Sequence, residues 1–110
     1  MEPAHLELLR RLTLCDEHVL RRVMCERTVG LAMLDDRTSA LVRLGSLVAM
    51  GPSTASFHGA VDAGLAAGAD PAEIVEILLV VAPVVGLCRV SAAARTLSAN
   101  LGYRLDLRDP

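Results

Sequence analysis

Apolar residues recur at helical spacing over most of the chain and then crowd together towards its end. Leu6, Leu8, Leu9 and Leu12 share one side of a first segment that carries Glu7, Arg10 and Arg11 on the other, with Pro3 suited to a first helical turn. Asp16 can cap a second helix through Arg27, in which Val19, Leu20, Val23 and Met24 form a stripe opposite Arg21, Arg22 and Glu26. Asp35 or Asp36 opens a third, with Leu41, Leu44, Leu47 and Val48 as its buried face. Gly51-Pro52 ends it, because proline disfavours helical geometry in the residue before it.

Ser53 can cap a fourth helix that runs to Ala67 through Gly59, Ala60, Ala63, Gly64 and Ala66. Glycine inside a helix costs about 1 kcal/mol relative to alanine, so this small-residue helix predicts tight packing or a ligand space. Gly68 is a left-handed terminator, and Asp70-Pro71-Ala72-Glu73 reads as a helix start with proline at the first position and a carboxylate at the third. Ile74 to Val81 is so rich in β-branched residues that propensity alone would allow a strand; the preceding cap decides for a helix. Pro83 is expected to break or kink it, leaving Val84 to Leu101 as the last helix, ended by Gly102. The pattern predicts an all-α protein, a compact bundle of about six helices.

Composition narrows the picture. The 110 residues suit one domain, and an apolar fraction of 53% with only 2% aromatics means a core of Leu, Val and Ala. The net charge is -2, and the eleven basic residues, all arginine, are interleaved with acids along the chain. Nucleic acid would call for a concentrated basic face. The three cysteines, Cys15, Cys25 and Cys88, form no CxxC and have no His or Asp/Glu spacing for a metal site. Their odd number and the lack of a secretory segment point to a reducing cytoplasm, and a Cys15–Cys25 pair would put its members on different faces of one helix.

The uncharged run from Ile77 to Cys88 covers 12 residues and holds Pro83 and Gly86, whereas a membrane span needs about 20. It reads as a buried helix. Between Ile77 and Tyr103 the only charges are Arg89 and Arg95. So apolar a surface exceeds what a small monomer covers, and a second subunit is expected against it.

Three segments together resemble the carboxymuconolactone decarboxylase family. Leu34-Asp35-Asp36-Arg37-Thr38-Ser39-Ala40-Leu41 is similar to its LD-x-K/R-T-R-x-L opening, Gly68-Ala69-Asp70-Pro71-Ala72-Glu73-Ile74 to its G-A-T-x-E-E-I turn, and Ala82-Pro83-Val84-Val85-Gly86 to its A-x-Y-A-G segment. The resemblance divides the chain into an N-terminal helical extension (1–33), a family-like core (34–102) and a polar tail (103–110). It implies an all-helical, alkylhydroperoxidase D-like fold assembled as a homo-oligomer, a trimer or hexamer, with sites near the fourth helix and close to subunit contacts. One branch of the family is a thiol peroxidase and another a lyase acting on a carboxylated lactone. Counting back from Gly68, the peroxidase CxxCxxxH pattern places its cysteines on Ser53 and Ser56, its histidine on Ala60 and its glutamate on Leu41. The relay is absent, and a serine hydroxyl is a far weaker nucleophile than a thiolate.

The remaining candidates are few. His58 lies two residues from the family histidine position, about 200° away round a helix; it is either an acid-base group, imidazole being the side chain that titrates near neutral pH, or a solvent-facing residue. Arg89 could clamp a carboxylate with its guanidinium fork or pair with Glu73 or Glu76. Glu76 stands on a very apolar helix, where a buried carboxyl would serve as a general acid, or sits at a wet edge. Ser53 and Ser56 could contact substrate, or act as a cap and a packing residue. The sequence thus offers a lyase-like reading, cofactor-free decarboxylation or isomerisation of a small carboxylated or lactone-like compound with His58 and Arg89 as its chemistry, against a non-catalytic homo-oligomeric ligand-binding or scaffold protein. Neither requires a metal, a cofactor, nucleic acid or a membrane.

Overall fold

The computed structural model describes residues 4–18, 21, 34–51 and 53–108, and all secondary structure among them is helical. The chain divides into two compact units, Met1–Asp35 and Asp36–Pro110. The first contains α1 (Ala4–Thr13), whose Glu7 pairs with Arg10 at 3.5 Å and Arg11 at 3.0 Å, the one-turn spacing that brings such residues together. Its end is a Schellman motif: the Asp16 N–H donates to the Arg11 carbonyl and the Cys15 N–H to that of Leu12. Cys15 takes the left-handed position, φ 53°, that glycine normally fills. The second predicted helix falls largely outside the described residues, as does Cys25. Its start is visible, since Glu17 and His18 are helical and the Asp16 carboxylate accepts from the His18 N–H at 2.8 Å.

The second unit is built from α2 (Asp36–Met50), α3 (Thr54–Ala66), α4 (Pro71–Val85) and α5 (Leu87–Asn100), each touching the other three. Their shared core holds Leu44 and Val48 of α2, Phe57 and Val61 of α3, Ile74 and Leu78 of α4, and Ala93 and Leu97 of α5. Leu44 and Val48 are two of the four positions that the periodicity assigns to the buried face of α2, and Leu41 packs against the core from its edge. Among the described residues no polar or charged residue is buried. Among the helical glycines the tightest surroundings are those of Gly45 on α2, where a β-carbon would stand 3.2 Å from Val81 Cγ1; the glycines of α3 are less closely faced. There Gly64 is buried in ordinary contact with Ile74, but Gly59 is exposed with nothing within 4 Å. Gly59→Ala is therefore expected to stabilise the protein by about 0.4–1 kcal/mol, read as a higher urea midpoint at unchanged slope.

Local signals set the helix ends. After α3 the Ala69 N–H reaches the Gly64 carbonyl and the Gly68 N–H that of Leu65, with Gly68 at φ 95°; after α5 the same motif recurs around Gly102, φ 71°. At the start of α4 the Asp70 carboxylate accepts from the Ala72 N–H at 3.2 Å, while the Asp70 N–H donates to Glu73 Oε1 at 3.0 Å, completing a capping box. Glu73 also forms an ion pair with Arg37 at the start of α2. Asp70→Ala should lower stability by about 0.5–2 kcal/mol, a loss that denaturant titration resolves.

Pro83 does not break the helix. It lies inside α4, which ends only at Gly86, and α5 begins at Leu87 rather than Val84. The ring costs one hydrogen bond, at the carbonyl of Leu79, on the solvent side and within two turns of the helix end. Gly86, at φ 91° and ψ 156°, is the residue that reverses the chain, in a conformation essentially confined to glycine. Beyond Gly102 the tail is exposed, and Arg108 donates to both carboxylate oxygens of Asp106, holding that group below the usual carboxylate range.

Candidate functional site

Arg89 is the third residue of α5, and its Nη1 donates to the carbonyl of Ala49 at 2.6 Å. Ala49 is the penultimate residue of α2, where backbone carbonyls have no partner within the helix. A guanidinium there satisfies one of them and meets the negative end of the helix dipole. Gly51 makes room for it. Its φ of 65° ends α2 in the left-handed region, and a β-carbon on it would lie 3.1 Å from Arg89 Nη1. The two pairings considered from sequence do not form: Glu73 is engaged with Arg37, and Arg89 holds the end of α2 instead.

Beside the guanidinium lies an open recess of about 120 Å³ lined by Val48, Gly51, Phe57, Arg89, Ala92, Ala93 and Thr96. Four of these, Arg89, Ala92, Ala93 and Thr96, stand at i, i+3, i+4 and i+7 of α5 and so share one stripe. The two alanines leave the space that larger side chains would fill. Thr96 donates its hydroxyl to the Ala92 carbonyl at 3.3 Å, keeping oxygen lone pairs as acceptors. Val48 and Phe57, both core residues, form the apolar floor. The recess thus offers apolar walls, one cation and one hydroxyl, and no carboxylate or imidazole among its lining residues.

The other sequence candidates stand elsewhere. His58 follows Phe57 but is exposed and does not line the recess, whereas Ala60, the counted family position, packs against the core. Glu76 is exposed on α4 rather than buried, so it occupies the wet edge and not a general-acid environment. Ser53 caps α3: its Oγ accepts from the Ser56 N–H at 3.2 Å and donates to Ser56 Oγ at 3.0 Å. Both serines are exposed, and neither lines the recess. Thr96 and Phe57 were not singled out from sequence, although the small-residue spacing after Arg89 carries the signal. Cys15 and Cys88 are free and exposed, and among the described residues no cluster of His, Cys, Asp or Glu could hold a metal. No described helix is long and apolar enough to cross a membrane.

The described residues form a helical fold with a small arginine-edged recess between α2, α3 and α5, a candidate small-molecule site. Residues 23–99 match the carboxymuconolactone decarboxylase family, and the chain belongs to it. No curated protein and no solved structure matches it.

Proposed function

We propose that the protein is a homo-oligomeric, cytoplasmic binding protein for a small carboxylated or lactone-like compound, held at the recess with its carboxylate on Arg89. The observation that carries this reading is the guanidinium at the edge of an otherwise apolar hollow. Among the described residues only Nη1 of Arg89 is engaged, by Ala49, which leaves the rest of the fork to meet a carboxylate. Thr96 offers a second polar contact, and Phe57 and Val48 would cover the apolar part of the ligand. The volume is well under that of sites for drug-sized molecules, about 300–1,000 Å³, so the ligand is a short acid. Free thiols on Cys15 and Cys88 suit a reducing compartment.

Family membership favours a second reading, decarboxylation or isomerisation of the same class of compound. That chemistry needs a proton-transfer group within hydrogen-bond reach of the ligand. His58 is the candidate from sequence, and from its exposed position it would have to act on a ligand extending out of the recess. Thiol peroxidation has least support, because the positions corresponding to the family cysteines are Ser53 and Ser56.

Native mass spectrometry of freshly purified oligomer, followed by calorimetric titration with propionate, succinate and benzoate, tests the binding reading. A retained acid, or saturable binding of one of the three that is lost on methylating its carboxylate, is the expected result. Absence of both would overturn it. Turnover of a bound acid that survives in the wild type and stops in His58→Ala would shift the assignment to the lyase reading.

A further inference from the structure

The two polar side chains of the recess differ in what they offer. Arg89 and Thr96 stand at opposite ends of the α5 stripe, two helical turns or roughly 10 Å apart between α-carbons. Between them α5 contributes only Ala92 and Ala93 to the lining. The Thr96 hydroxyl gives its one proton to the Ala92 carbonyl at 3.3 Å, which draws the oxygen back along the helix towards Arg89. With the proton used, Thr96 meets a ligand through its lone pairs. One end of the recess thus takes an anion, and the other takes a hydrogen-bond donor.

The donor is neutral. No lining residue carries a carboxylate, so an ammonium held against Val48, Phe57 and the alanines would lose its water without gaining a counter-charge. A second carboxylate is disfavoured in the same way. Arg89 is the only cation among the lining residues, and Thr96 would have to release the Ala92 carbonyl before it could donate. The donor also stands away from the carboxylate, since a hydroxyl on the adjoining carbon would remain beside the arginine. Size sets the length: a hollow of about 120 Å³ takes about six non-hydrogen atoms, as benzene fills a cavity of about 150 Å³. Resting on the carboxylate reading above, we infer that the ligand is a short monocarboxylic acid bearing a hydroxyl at the far end of its chain. Thr96 selects it by accepting a hydrogen bond from that hydroxyl.

Titration calorimetry with four acids of one chain length, butyrate, 4-hydroxybutyrate, 4-aminobutyrate and succinate, tests this in the wild type, Thr96→Val and Thr96→Ser. Circular dichroism checks that the variants fold. In the wild type 4-hydroxybutyrate is expected to bind roughly threefold to tenfold tighter than butyrate, the value of one neutral hydrogen bond, and tighter than the other two. The ratio of the two Kd values should fall to about one in Thr96→Val, which keeps the shape but not the oxygen, and persist in Thr96→Ser. Equal affinities for butyrate and 4-hydroxybutyrate in the wild type overturn the inference and leave the carboxylate reading standing. Tighter binding of 4-aminobutyrate or succinate overturns the neutral donor. A preference that survives in Thr96→Val, or is lost in Thr96→Ser, overturns selection by Thr96. No binding of any of the four overturns both readings.

Discussion

Ile74→Ala is expected to destabilise the protein by about 2–5 kcal/mol, the range for truncating a buried aliphatic side chain, and by an amount near the top of it. Ile74 is 0% exposed, sits in the first turns of α4 and belongs to the same core as Leu44, Val61 and Leu78. Its Cδ1 lies 3.7 Å from where a β-carbon on Gly64 would stand. On that side Gly64 has no side chain of its own to turn into the vacated volume. Where a site cannot collapse, the penalty includes the cavity as well as the lost transfer free energy. Urea denaturation at fixed protein concentration reads the effect. Val75→Ala, at the next residue of the same helix but partly exposed, should lose much less; equal losses at the two positions would mean that the core lies elsewhere.

The same residue shows how much of the fold is legible in the chain. Ile74 follows Asp70-Pro71-Ala72-Glu73, and a capping box is a local device whose four residues make their own hydrogen bonds whatever the rest of the molecule does. The starts and ends marked by Asp35 or Asp36, Gly68, Asp70 and Gly102 are legible because they too are local. Pro83 misleads because its local effect is real but small near a helix end, where one hydrogen bond is lost and Gly86 three residues later does the terminating. The density of small residues on α3 predicts tight packing or a ligand space there, yet the most closely faced helical glycine is Gly45 of α2, because closeness depends on what faces a residue, here Val81 and Ile77.

The site divides along the same line. Ser53 as a cap follows from its own neighbourhood, and His58 standing away from the core follows from helix rotation relative to Ala60. The partner of Arg89 does not, since Ala49 is 40 residues away in sequence and is a backbone group, which no side-chain pattern reveals. Phe57 likewise joins the recess only through the crossing of α3 with α5. What the sequence does hold is the stripe of Arg89, Ala92, Ala93 and Thr96, two polar residues flanking two small ones on one helix face.

Arg89 therefore has two separable roles, and substitution should split them. Arg89→Met keeps the aliphatic stem but removes the donors, leaving the Ala49 carbonyl to water at an exposed site. The expected stability loss is about 0.5–1.5 kcal/mol, that of an ordinary hydrogen bond. Carboxylate binding should suffer more, because a hydrogen bond to a charged group contributes about 1.5–3 kcal/mol, or roughly a tenfold to hundredfold weaker Kd. Arg89→Lys should recover part of the affinity through its charge but not all of it, since an ammonium lacks the planar fork that meets two carboxylate oxygens at once. Titration of all three proteins with the tightest-binding acid, alongside urea melts, checks both halves. A Kd unchanged in Arg89→Met, with stability lowered as expected, would make Arg89 solely the cap of α2 and remove the carboxylate from the recess.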